Sequence, residues 1–128
     1  MRFIVLLATS LSVSGCGYYQ AQQGGDAALD AEVLLLGASK QEIKACAGEP
    51  LEIRDKSTTS ETWHYQYDYY KYNPTDVNYI GFADIIFSDG EVIEVKLYPN
   101  RDSDSIGIPL TERQAKSISW PIVEKCAV

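Results

Sequence analysis

The sequence predicts an α+β domain, with helices at both ends of the folded part and an antiparallel sheet between them. Three observations predict it. Apolar residues recur at helical spacing before Gly48, the period changes to two after Pro50, and helical spacing returns after Thr111. A chain of 128 residues supports one such domain.

The first fifteen residues read as an export signal. Arg2 supplies the charged start, Phe3 to Ala8 the apolar core, and small residues the exit. Val13-Ser14-Gly15-Cys16 resembles the bacterial lipobox, in which a branched apolar residue and two small ones precede an obligatory Cys. The small residues let the chain thread extended into a peptidase, and the thiol is the nucleophile that takes the lipid. Resemblance to lipoproteins implies that Cys16 is the acylated (palmitate-bearing) N-terminus of the mature chain. At about 0.8 kcal/mol per buried methylene, several acyl chains make a lasting membrane anchor. Gly17 stands where an Asp is associated with inner-membrane retention, so the same resemblance points to the outer membrane, facing the periplasm. Residues 16–26 lack periodicity and read as a flexible tether, leaving 27–128 as the domain.

With Cys16 assigned to lipid, Cys46 and Cys126 are left as an even pair in an oxidising compartment, which predicts a disulfide. The alternative is two separately buried thiols, one on each terminal helix.

The elements follow in order. Leu29, Val33 and Leu36 share one face of a short helix that Gly37 stops. Ser39 with Glu42 three residues on matches a capping box; the helix it opens turns Ile43, Cys46 and Ala47 inward. Gly48 should end it in a left-handed conformation, and Pro50 prevents continuation. Leu51 and Ile53 then alternate with Glu52 and Arg54, and the polar run Asp55 to Ser60 turns the chain. Thr62 to Tyr70 reads as a strand with Trp63, Tyr65, Tyr67 and Tyr69 on one face and His64, Gln66 and Asp68 on the other. Phe82 to Ser88 and Glu91 to Tyr98 form a hairpin around Asp89-Gly90, because both turn positions need positive φ. Ala83, Ile85 and Phe87 point inward from its first strand, and Ile93, Val95 and Leu97 from its second. Such alternation implies a sheet wet on one face and covered by helices on the other. Thr111 with Gln114 is a second capping-box pattern; Ala115, Ile118, Ile122 and Cys126 continue at helical spacing, and Pro121 should kink or divide that helix.

Composition excludes several functions. A net charge of −7 removes the clustered basic surface that nucleic-acid binding needs. One His and three Cys cannot build a Cys/His zinc cage once the cysteines are placed, and there is no phosphate-cradling Gly loop. Neither metal nor cofactor is expected, and no catalytic residue is assigned.

Leu36-Gly37-Ala38-Ser39-Lys40, Ile43, Gly48-Glu49-Pro50, Trp63-His64-Tyr65 and Phe87-Ser88-Asp89-Gly90-Glu91-Val92-Ile93-Glu94-Val95 together resemble the SmpA/OmlA family of BamE-like small outer-membrane lipoproteins. The shared pattern spans residues 36–98, about half the chain. The resemblance implies two helices packed on a three- to four-stranded antiparallel meander. It also implies protein-binding partners in the envelope, the β-barrel assembly machinery among them. The related β-lactamase-inhibitor-like fold is a protein-binding scaffold, so a periplasmic inhibitor or sensor of an envelope enzyme is the alternative. Cys46 in place of an aliphatic, the C-terminal helix with Cys126, and the long Tyr-rich loop depart from the family pattern.

That loop carries the candidate partner-binding residues, Tyr69, Tyr70, Tyr72 and Tyr79; tyrosine offers a large apolar body with a polar tip at low entropy cost. Trp63, Tyr65 and Tyr67 are expected in the core instead. His64 reads as a surface strand residue, since a general base needs a positioned nucleophile. Cys46 lacks an orienting motif for nucleophilic catalysis. Asp102-Ser103-Asp104 has calcium-like oxygen spacing but not the remaining ligands of a calcium loop, so it reads as a solvated loop.

Overall fold

The chain changes period at Pro50, and the computed structural model turns there from helix to sheet; it describes the backbone of residues 17–127 and the side chains of 26–127. Helices α1 (Gly17–Leu34) and α2 (Lys40–Ala47) precede strands β1 (Glu52–Arg54) and β2 (Ser60–Tyr67). A single helical turn, α3 (Tyr69–Tyr72), leads to β3 (Gly81–Ser88) and β4 (Glu91–Pro99), and α4 (Glu112–Val123) closes the chain with a 3-10 turn, Glu124–Ala127. The four strands form one antiparallel meander in sequence order. The fold is therefore α+β, with the helices laid over one face of the sheet.

That face presents Trp63, Tyr65, Ala83, Ile85, Phe87, Val95 and Leu97, which pack against Ala28 and Ala31 of α1, Leu35 just past its end, Ile43 of α2 and Val123 of α4. Both capping boxes form, at Ser39/Glu42 and at Thr111/Gln114. Asp89 and Gly90 both take positive φ at the β3–β4 turn, as a tight hairpin requires. Cys46 and Cys126 are joined in a disulfide that ties α2 to the terminal turn, so the alternative of separate thiols falls.

Several sequence expectations are corrected. α1 begins at Gly17, so the segment read as tether is helical. Once 27–34 is packed, extending the helix adds one hydrogen bond per residue and offsets the roughly 1 kcal/mol that each of Gly24 and Gly25 costs. The buried side of α1 and of the turn after it is Ala28, Ala31 and Leu35, while Val33 and Leu36 are exposed. Its neighbour is another helix, α4, and small residues allow the closer approach. Ile93 points outward and Val92 inward, because a bulge shifts the β3–β4 register between Ile86 and Phe87. Leu51 and Ile53 are exposed: β1 is an edge strand beyond the reach of the helices. The strand read through Tyr70 stops at Tyr67, where Asp68 caps α3 by accepting from Lys71 N. Gly48 has φ +84° but ψ −171°, an extended mirror-image conformation rather than the left-handed helical one, and essentially open only to glycine. α4 runs through Pro121 and ends at Val123 without dividing, its last turns held by the buried Val123 and the Cys126 disulfide.

Candidate functional site

The Tyr-rich connection between β2 and β3 is tied down along its length. Asn73 N donates to Tyr69 O (2.8 Å), Tyr70 N to Tyr79 O (3.1 Å), and Thr75 Oγ1 to Val77 O (2.7 Å). Asn100, just past β4, receives Ile80 N on its side-chain oxygen and donates to Asn78 O. Val77, Tyr79 and Ile118 form a second small core, with Tyr69 and Leu110 packed against it.

This packing divides the four predicted partner-binding tyrosines. Tyr79 is buried, meets Tyr69 edge-on at 6.5 Å and donates its hydroxyl to Ser103 O (2.9 Å). Tyr69 is half-buried, and burial pushes its hydroxyl pKa above the usual range. Both residues hold the loop; Tyr79 offers no surface, which corrects its assignment, whereas Tyr69 keeps part of its ring outside. Tyr70 and Tyr72 remain outside, 40% and 62% exposed. Tyr72 stacks on Tyr67 with ring centres 5.6 Å apart, and Lys71 Nζ lies 5.5 Å from its centroid. Burial pushes the Tyr67 hydroxyl upward too.

His64 corrects a second expectation. It is buried on the outer face of the sheet, stacked on Phe82 at 5.4 Å, with Tyr98 beyond Phe82 at 5.3 Å. Aromatic neighbours from β3 and β4 thus seal part of the face that alternation alone marks as wet. The antiparallel register sets Asp84 opposite His64, and Nδ1 lies 2.6 Å from Asp84 Oδ1. Tyr98 donates its hydroxyl to Asp84 Oδ2 (2.8 Å); burial first, then that bond to a carboxylate, raises its pKa to about 12. On its other side the ring has Gln66 Nε2 at 3.4 Å from Nε2. A carboxylate orienting an imidazole is half of a catalytic base, but the ring is enclosed and its free nitrogen meets an amide rather than a nucleophile. The signal missed in the sequence is the cross-strand pairing itself, since nothing in a long β2–β3 connection sets the register.

Trp63 and Tyr65 are core residues, as expected, yet each uses its polar atom. Trp63 Nε1 donates to Glu61 Oε2 (2.5 Å), and Tyr65 donates to Gly48 O (2.9 Å) at the exit of α2. Burial raises the Tyr65 pKa well above 10.

In the loop before α4, Asp104 Oδ1 accepts from Ile106 N and Ile108 N, and Arg101 donates to Ser103 Oγ and Asp104 O. The carboxylate therefore serves the loop's own backbone. Among the described residues, no three of His, Cys, Asp and Glu gather in a way that could hold a metal ion. Cys16 lies outside the described residues. No protein family, no curated protein and no solved structure matches this chain.

Proposed function

We propose that this is a lipid-anchored, periplasm-facing protein-binding module that acts without catalysis, as an accessory in outer-membrane assembly or envelope maintenance. The observation that carries the reading is the display of Tyr70 and Tyr72 on a helical turn whose backbone is fixed by Asp68, Tyr79 and Asn73. Exposed aromatics on a pinned element lose little freedom on binding, which favours them as interface anchors. The lipobox at Cys16 supports the anchor, and the SmpA/OmlA-like pattern over residues 36–98 supports the envelope role. The enclosure of His64 favours binding over catalysis.

Crosslinking followed by affinity capture from envelope fractions tests the reading. Tyr70→Ser with Tyr72→Ser should reduce capture to background while lowering stability by only about 1 kcal/mol, the loss expected from the Tyr67–Tyr72 stack. Unchanged capture would remove this surface from consideration. A barrel-assembly complex among the captured proteins supports the accessory role, whereas a soluble enzyme there moves the reading to an inhibitor or sensor.

A further inference from the structure

The strands place one end of the molecule unambiguously: β2 ends at Tyr67, opposite the start of β3 at Gly81, which in turn pairs with Pro99 at the end of β4. α1 points out past that same end. Gly37 N donates to Val92 O, and Glu32 Oε2 accepts Leu97 N (3.0 Å), so moving back along α1 follows β4 toward Pro99. Further back, Asp26 pairs with Arg113 in the first turn of α4 (2.8 Å), and Glu32 pairs with Lys116 (2.6 Å), so the two helices run side by side in the same direction. The chain leading to Cys16 therefore departs from this end.

Residues 102–110 form a small hairpin at the same end, between Asn100, which bonds Ile80, and the start of α4. Leu110 N donates to Asp102 O, Asp104 N to Ile108 O, and Ser103 bridges Pro109. Gly107, at φ +89°, turns the tip, and the two backbone bonds to Asp104 Oδ1 stiffen it. This rigid tip presents Ile106 and Ile108 to solvent, 78% and 55% exposed. Loop tips are ordinarily polar, and two stem-less β-branched residues on a fixed turn are poorly placed for water.

We infer that the Ile106–Ile108 tip is a second membrane contact, inserting into the lipid surface to which Cys16 is attached. The inference rests on the anchor reading above, and the occupant follows from it: an anchor leaving by this end brings the bilayer here. Anchoring also makes the contact intramolecular, so two isoleucines suffice to orient a domain that they could not recruit from solution. The protein is acidic overall, with Asp102 and Asp104 beside the tip, so the contact is apolar rather than electrostatic and salt does not weaken it. α1 spans about 14 Å between Gly17 and Asp26 at 1.5 Å per residue, so the tip reaches the surface with α1 inclined toward the bilayer rather than upright.

The full lipidated chain is reconstituted into vesicles of phosphatidylethanolamine and phosphatidylglycerol, with a benzophenone amino acid replacing Ile106 or, as control, the exposed Ile93 near the opposite end. Irradiation should yield lipid adducts at 106 and only background at 93, at low and high salt alike. Amide hydrogen exchange over 103–109 should slow on reconstitution, and Ile106→Ser with Ile108→Ser should abolish that slowing. Equal labelling at both positions, protein adducts at 106, or exchange unchanged by vesicles would overturn the inference. The mass of the N-terminal peptide separates the two readings: a lipidated Cys16 without adducts at 106 sinks the tip contact alone, while an unmodified Cys16 sinks both.

Discussion

Glu61 is an acidic residue in a buried setting. It is buried at the start of β2, and the Trp63 indole N–H holds its pKa below the usual 4.5, helped by Lys40 Nζ at 3.2 Å and opposed by burial. A carboxyl whose folded pKa is depressed contributes stability that is present above its unfolded pKa and is lost as pH falls through the folded one. Denaturant midpoints measured from pH 6 down to about 2 should show this as a declining acid limb, because carboxylates in proteins titrate there. Glu61→Gln keeps an acceptor for the indole and should flatten that limb; parallel limbs in both proteins would show that the charge contributes nothing. The tyrosines divide at the same scale. Position in the sequence marks Tyr69, Tyr70, Tyr72 and Tyr79 alike, and only the folded chain separates buried Tyr79 from exposed Tyr72. Burial of a loop residue depends on what packs beneath it, here Ile118 and Leu110 from distant positions.

Elements with a local cause are legible in the sequence. Ser39/Glu42 and Thr111/Gln114 are short-range hydrogen-bond pairs, and Asp89-Gly90 is a two-residue turn; all three form where the sequence places them. Which face an element buries is not local. α1 and the turn after it carry a Leu29/Val33/Leu36 stripe and an Ala28/Ala31/Leu35 stripe at equivalent spacing, and the approach of α4 selects the smaller residues. The bulge at Ile86/Phe87 likewise reverses Val92 and Ile93, although either could follow the hairpin turn. The contact between α4 and β3 gives the sharpest test of packing. A Cβ on Gly81 would sit 2.5 Å from Ile118 O and 2.8 Å from Ser119 Cα, both backbone atoms that cannot swing aside. Gly81→Ala should therefore push α4 off the sheet, breaking the Ser119 Oγ to Tyr98 O bond and destabilising the protein by about 2 kcal/mol. Thermal melting checks this, and an unchanged midpoint would mean that α4 is free to shift.

For the whole molecule the controlling link is Cys46–Cys126, which closes a loop across a sequence separation of 80. The chain-entropy model gives up to about 4.5 kcal/mol for a loop of that length, and native disulfides in small domains contribute about 2 kcal/mol or more. Replacing both cysteines by Ala should lower unfolding free energy within that range. A loss well below it would show that α2 and α4 are held by packing alone. The bond fastens the terminal turn Glu124–Ala127 to α2, so its removal should also free that turn to exchange amide hydrogens faster.

By itself the sequence determined the order of the four strands, the capping boxes that open α2 and α4, the Asp89-Gly90 turn and the pairing of two cysteines, because each depends on neighbours in the chain or on counting. Tertiary structure alone decided that His64 is enclosed by Phe82 and bonded to Asp84, and that Ile106 and Ile108 share an end of the molecule with the departing α1. Those arrangements come from strand register and helix packing, which join residues far apart in the chain and leave no periodic mark within it.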